Sequence, residues 1–467
     1  MFIADGVTGW PPVTQEVRYM NKERAIPTGM VLFVCKILSV TIVLARWWGK
    51  SMKAIMRDAA ELKDSGIGYL GYIPQNWQLA SAKFFVSISN GSDPKTDGET
   101  PVYGSGKGSF RTCGESKDGP TVLLGRKGTV DIPQYIEGKY WNVDTAFDVK
   151  AKYGYSLRFF YYLSTCFDYK RYSTQTALPS MTQSNYNSMR IVVPSFSEQN
   201  SIYEYLDDRC SKIDAIIAEA KASIEEYKEL KQAVIYEAVT KGLDKNAKMK
   251  DSSIEWLGSI PAQWNLVKTN RIIDNTQNGL TRRDLDKSDG QIVLKLKNIN
   301  AEGKIDYSDT NRIQLTNDEI EKYRLHNGDL LFVRVNGSRD LVGKCAIFEE
   351  KDEAIAYNDH IIRVTLNDYC IPEYVKWYLL CDSGKSEIAL KINTAAGQFT
   401  ISGEGLRAIY MPLPSLNEQR EIVEFLNNKT KKIDFIINEK QSLIEDLEAY
   451  KKSLIYEVVT GKRKVVA

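Results

Sequence analysis

The sequence predicts a mixed α/β (α+β) protein, with two globular domains joined by two long antiparallel helices that form a coiled coil, arranged as a pseudo-twofold internal repeat. Three observations lead there. Residues 194–240 and 414–460 align without a gap at an offset of 220, with about 21 of 47 positions identical, which marks a duplication. Upstream, Lys63-Asp64-Ser65, Ile73-Pro74 and Trp77 recur as Lys250-Asp251-Ser252, Ile260-Pro261 and Trp264 at an offset of 187. The stretches between these matched ends do not repeat, and the second is longer by 33 residues (220 − 187). One scaffold thus carries two unlike inserts.

Residues 1–51 belong to neither copy. Gly29 to Ala45 is apolar but interrupted by Lys36 and closed by Arg46, short of the roughly 20 residues that cross a bilayer. No small-residue cleavage site follows before Arg46-Trp47-Trp48, so neither a membrane span nor a signal peptide is the favoured reading. The frame is expected to begin near Met52, with an N-terminal extension before it.

The first domain is assigned to 52–193 and the second to 251–413. Short apolar runs broken by glycine, Thr121 to Gly125 and Gly328 to Gly337, predict strands and tight turns. More helical patches follow at Leu157 to Asp168 and Pro372 to Cys381. The aromatic cluster from Tyr153 to Tyr172 lies along the first patch and fits a core better than a platform for stacking bases.

Residues 194–250 and 414–467 form the repeated helical regions. Ile202, Leu206, Ile213, Ile217, Ala220, Ile224, Tyr227 and Val234 recur mostly three, four or seven apart, as do Ile422, Leu426, Ile433, Ile437, Ile444, Leu447 and Leu454. Ser197 and Asn417 are the expected N-caps, and Gly242 and Gly461 the expected stops. A helix of about 40 residues extends some 60 Å and needs a partner along its apolar stripe; the other copy is the nearest one. Ile213, Ile216, Ile217, Ile224, Ile433, Ile436, Ile437 and Ile444 are the candidates for pairing and for docking further subunits.

A net charge of +2 excludes coating of nucleic acid by bulk charge, though not local basic surfaces. Seven scattered cysteines without a CxxC pair fit reduced thiols in a cytoplasm. Only His326 and His360 are present, so no histidine-based constellation recurs between copies. Gly104-Ser105-Gly106-Lys107-Gly108 lacks the first glycine and the hydroxyl of a phosphate loop. The chain reads as a binder with no catalytic residues and no metal or cofactor of its own.

Basic and amide side chains concentrate in the turns. Arginine and lysine can contact phosphates, and arginine, asparagine and glutamine can read base edges. In the first domain the candidates for DNA contact are Lys107, Arg111, Arg126 and Lys127, with Gln175, Thr176 and Gln183 near its end. In the second they are Arg334, Asn336, Ser338, Arg339 and Lys344, with Arg282, Arg283, Gln398 and Thr400.

From Met52 to Lys462 the chain resembles the DNA specificity subunits of type I restriction-modification systems. The resemblance lies in the order and duplication of Lys-Asp-Ser, Ile-Pro and Trp before each domain, and of Pro-Ser-x-x-Glu-Gln, Lys-Ile-Asp-x-Ile-Ile and Ile-Tyr-Glu-x-Val-Thr along each helix. Gly328 to Leu331, Val335 to Ser338 and Leu341 to Lys344 add to it in the second half, where the first half departs with Gly125-Arg126-Lys127-Gly128. The resemblance implies two target recognition domains that read a split, asymmetric sequence in double-stranded DNA. It implies two methyltransferase subunits docked on the repeats and restriction subunits beyond them, with S-adenosylmethionine, ATP and magnesium held by those partners, and no membrane. The alternative is a coiled-coil scaffold that joins two protein-binding domains without DNA.

Overall fold

A computed structural model describes residues 52–174, 176–282, 289–300, 303–395 and 397–466. The expected extension at 1–51 and the candidates Gln175 and Arg283 lie outside the described residues. The chain divides into two compact units, Met1–Asp214 with Glu448–Ala467, and Ala215–Leu447. Both long helices cross that division, so each unit contains one globular domain, the beginning of the helix that follows it and the end of the other helix.

In the first unit the strands are β1 (Val86–Asn90), β2 (Thr100–Tyr103), β3 (Ser109–Cys113), β4 (Thr121–Gly125), β5 (Gln134–Ile136), β6 (Lys139–Asn142) and β7 (Ala146–Ala151). One antiparallel sheet has the order β1-β7-β4-β5, and a second sheet pairs β2 in parallel with β6 and antiparallel with β3. Every residue of β4 is buried, which is why its run Val122-Leu123-Leu124 does not alternate, while its one polar side chain, Thr121, donates to the Asp148 carboxylate. Helices α1 (Leu157–Ser164) and α2 (Gln183–Ser188) follow. Tyr155, Phe159, Phe160, Tyr162, Phe167 and Tyr169 are all buried, so the aromatic cluster is core. The strand Lys53–Met56 pairs with Arg463–Val466, joining the beginning of the family-like region to the chain's end.

The long helices are α3 (Phe196–Lys241, 46 residues) and, after the second domain, its copy Leu416–Val459 (44 residues). Both are longer than expected, roughly 66 to 69 Å at 1.5 Å per residue.

The second unit repeats the plan. Its strands are β8 (Ile273–Asn278), β9 (Gln291–Leu294), β10 (Asn311–Ile313), β11 (Leu330–Val333), β12 (Val335–Asn336), β13 (Cys345–Ile347), β14 (Ile355–Tyr357), β15 (Ile361–Leu366), β16 (Asn393–Ala395) and β17 (Gln398–Thr400). The sheet order β8-β15-β11-β13 matches β1-β7-β4-β5, and β9 pairs in parallel with β14 as β2 does with β6. Helices α4 (Pro372–Leu380), α5 (Asp382–Lys391) and α6 (Gly403–Arg407) precede the second long helix, α7. An added three-stranded sheet, β12-β17-β16, is reduced in the first unit, among the described residues, to the bridge Lys127↔Ser180.

The repeated motifs prove to be joints. Lys63 Nζ donates to the Gln75 carbonyl at 2.7 Å and Lys250 Nζ to the Ala262 carbonyl at 2.9 Å, closing the same hairpin twice. Asp64 and Asp251 each accept a backbone N–H two residues on, at 3.0 Å in both copies. Gln199 and Gln419 are fully buried; their carbonyl oxygens accept the Ser156 and Ile371 N–H at 2.7 and 3.0 Å, and their amides donate to Pro194 and Pro414. A glutamine is needed there because one side chain must both accept and donate.

The N-caps fall two residues before the expected Ser197 and Asn417. Ser195 Oγ accepts from Glu198 N at 3.3 Å while Glu198 Oε2 accepts from Ser195 N at 3.1 Å, a reciprocal capping box; Ser415 Oγ accepts from Glu418 N at 3.4 Å. The glutamates therefore stand at the third helical position, from which Glu198 reaches back to its cap. The helices stop at Gly242 and Gly461, with φ of 78° and 74°.

Pairing of the helices is antiparallel. In the second unit Lys231 Nζ lies 2.7 Å from Asp434 Oδ1, and Lys440 Nζ lies 5.9 Å from the Tyr227 ring centroid. In the first unit Lys451 Nζ lies 2.6 Å from Asp214 Oδ2. Ile213, Ile217, Ile224, Ile433 and Ile444 are buried, whereas Ile216, Ile436 and Ile437 are half-buried. The first group fills the seam, and the second keeps apolar surface at its margin.

Candidate nucleic-acid interface

In the first domain the candidates sit on turns fixed from below. Buried Gln134 accepts from Gly108 N at 2.8 Å and donates to the Gly104 carbonyl at 3.0 Å, holding both ends of the turn that exposes Lys107. The turn after β4 lies close by; a Cβ on Gly128 would sit 3.6 Å from Ser105 Oγ and 3.7 Å from Leu178. Lys127 is exposed and bridged to Ser180, and Gly128 N donates to the Pro179 carbonyl at 2.9 Å. Thr176 is exposed, its hydroxyl donating to the Leu178 carbonyl at 2.9 Å. Lys107, Arg126 and Lys127 are thus on neighbouring turns, with residues 176–181 against them. Arg111 stands apart on β3, exposed, with Nη2 3.2 Å from Asp93. Gln183 begins α2 with its amide donating to the Ile88 carbonyl.

In the second domain β12 and β17 bring Asn336, Gln398 and Thr400 into one small sheet, with Asn336 opposite Phe399 and Val335 opposite Thr400. Asn336 Oδ1 accepts from Ser338 N at 2.9 Å, shaping the turn that carries Ser338 and Arg339. Arg339 reaches the Ala389 carbonyl at 3.1 Å. Lys344 is half-buried beside β11, its carbonyl accepting from Val333 N at 2.9 Å. Gly343, with φ of 79°, lets this turn approach α5: a Cβ would lie 2.4 Å from Ile388. Arg282 is committed elsewhere, its Nη1 3.0 Å from Glu319 and 3.2 Å from the Gln314 carbonyl. The Thr316 N–H, and then Arg282, hold the Glu319 carboxyl below its ordinary range.

Hydrogen bonds match the two domains where sequence does not. Arg126 N donates to the Thr145 carbonyl at 2.7 Å and Arg334 N to the His360 carbonyl at 2.8 Å, each acceptor standing just before β7 or β15. The Arg126 carbonyl accepts from Met181 N and the Arg334 carbonyl from Ile401 N, both at 2.9 Å. The side chains agree as well: Nη1 donates to the Asp144 carbonyl at 3.2 Å and to the Asp359 carbonyl at 2.9 Å. The two arginines are equivalent, at an offset of 208 (334 − 126), between 187 for Ala82 and Thr269 (269 − 82) and 220 for Met181 and Ile401 (401 − 181). Of the 33 extra residues, 21 (208 − 187) therefore precede the arginine. Sequence reasoning missed Gln134, Asp144 and Asp359. Gln134 lies in no repeated motif, and a main-chain carbonyl has no signature.

The family model for the type I restriction modification DNA specificity domain matches residues 74–226 and 283–446. The type I restriction enzyme EcoKI specificity subunit of Escherichia coli (strain K12) is 26% identical over 281 residues, covering 60% of this chain and 58% of that protein. The MjaVIII specificity subunit of Methanocaldococcus jannaschii is 25% identical over 351 residues, covering 74% of this chain and 76% of that protein. In fold, the chain is similar to one from a solved structure on complex assembly and conformational transition of the type I R-M system. The TM-score is 0.65 at 13% identity, over 84% of this chain and 99% of that one.

Proposed function

Since the chain belongs to the type I restriction modification DNA specificity domain family, we propose that it is the noncatalytic specificity subunit of a type I restriction-modification complex, reading a bipartite, asymmetric sequence in double-stranded DNA. The observation that carries this is one strand order presented twice, β1-β7-β4-β5 and β8-β15-β11-β13, under loops of different length and chemistry. Equal scaffolds with unequal loops suit two readers of two different words. Two methyltransferase subunits would dock on the repeated helices, where half-buried Ile216, Ile436 and Ile437 leave apolar margin, and restriction subunits would join them. S-adenosylmethionine, ATP and magnesium would belong to those partners, since this chain has no phosphate-loop or dinucleotide fingerprint. The proposed compartment is the cytoplasm; among the described residues no helix is long and apolar enough to cross a membrane.

Single-molecule methylation mapping in cells with and without the gene tests the reading. A split motif that is methylated only when the gene is present is the expected result. Identical methylomes, together with no salt-dependent protection of duplex DNA by the purified chain, would remove it.

A further inference from the structure

The geometry points to Arg126 and Arg334 as a matched pair of phosphate clamps that set the register of each domain on the duplex, leaving base reading to the side chains around them. This rests on the DNA-binding reading above. Each arginine is pinned through its own N–H and C=O and through Nη1, and all three contacts are to main-chain groups. Its placement is therefore set mainly by the fold, with one side-chain addition in the first domain, where Arg126 Nη1 also lies 3.8 Å from the half-exposed Asp144 carboxylate. No other side-chain hydrogen bond is made by either guanidinium among the described residues, and both groups remain partly exposed. The Nε and Nη2 hydrogens are free for an anion, with the fork geometry that suits a phosphate.

The positions beside this constant group differ in chemistry. Lys127 is matched by Val335 through the bridges to Ser180 and Thr400, and Gly128 by Asn336 through the contacts to Pro179 and Phe399. Two domains that read different words can share a contact only with something both words possess. The phosphodiester backbone is that common element; base edges are not.

The test uses the full-length chain with R126A, R334A and the lysine variants R126K and R334K. The probes are a duplex carrying the mapped methylation motif and a duplex with that motif scrambled, each titrated across a salt series. Each alanine variant should weaken binding to both duplexes by the same factor and reduce the salt slope by about one unit, and lysine should restore most of both. The methylated motif should be unchanged. Affinity lost on the specific duplex alone, with an unaltered slope and relaxed preference at one base pair, would overturn the clamp in favour of base reading. So would unchanged binding by either alanine variant. Thermal unfolding like that of the wild type separates a lost contact from a lost fold. If the wild-type chain binds neither duplex, the DNA reading itself falls, and the clamp with it.

Discussion

Trp264 donates its indole hydrogen to Glu418 Oε1 at 2.8 Å, the counterpart of Trp77 and Glu198 at 3.3 Å. In the first copy Glu198 also accepts from Ser195 N through Oε2, so one carboxylate fixes both the helix cap and the tryptophan that begins the domain. Trp264 is fully buried, and its replacement has two separable parts. Trp264→Phe should cost about 1 to 3 kcal/mol, from the lost charge-assisted hydrogen bond and the volume left empty. Trp264→Ala should cost about 3 to 5 kcal/mol. Denaturant unfolding that gives equal losses for both would show that the indole N–H and not ring packing dominates.

The two helix-ending glycines should differ in tolerance. Both have positive φ, which costs an L residue roughly 1 to 2 kcal/mol. A Cβ on Gly461 would lie 2.5 Å from Pro74 and 2.9 Å from Trp77, whereas one on Gly242 would lie 3.1 Å from Trp264. Gly461→Ala should therefore destabilise more than Gly242→Ala, by at least about 1 kcal/mol. A reversed order in the thermal midpoints would contradict these contacts.

The ion pairs between the helices should matter less than the isoleucines beneath them. Lys231–Asp434 and Lys451–Asp214 each keep one partner about half exposed, and such pairs contribute roughly 0 to 1 kcal/mol. Ile444 is 2% exposed, so Ile444→Ala should cost about 2 to 5 kcal/mol. A double-mutant cycle on Lys451 and Asp214 should show coupling below about 1 kcal/mol that fades with salt.

What the sequence revealed follows from what repeats. The strands at Thr121 and Leu330 were legible because burial on both faces demands unbroken apolar runs. The helices were legible through their stripe and their terminal glycines, but the cap was displaced because Ser195 and Ser197 both qualify as caps. Only the return bond from Glu198 selects Ser195. The equivalence of Arg126 and Arg334 was hidden because main-chain contacts to Thr145 and His360 impose no residue type, while unequal loops move the offset between copies. Arg282 ranked with the interface on charge alone; its ion pair with Glu319 became visible only once α-helical residues 317–323 were folded against it.

That difference between arginines bears on Asn336. Its Oδ1 is occupied by the Ser338 N–H at 2.9 Å, which leaves the amide hydrogens to face a ligand. Asn336→Asp keeps the acceptor and hence the turn, but replaces two donors with a negative charge. On the proposed reading, binding to the half-site assigned to the second domain should weaken by about 1 to 3 kcal/mol, the worth of one base contact, while the other half-site is unaffected. Arg282→Ala should instead lower stability by about 1 kcal/mol or less and leave the salt slope of DNA binding unchanged, because its charge is already engaged by Glu319. Competition binding with duplexes mutated in one half-site at a time measures both. Equal loss on the two half-sites by Asn336→Asp would mean that the substitution acts through long-range charge and not through a contact.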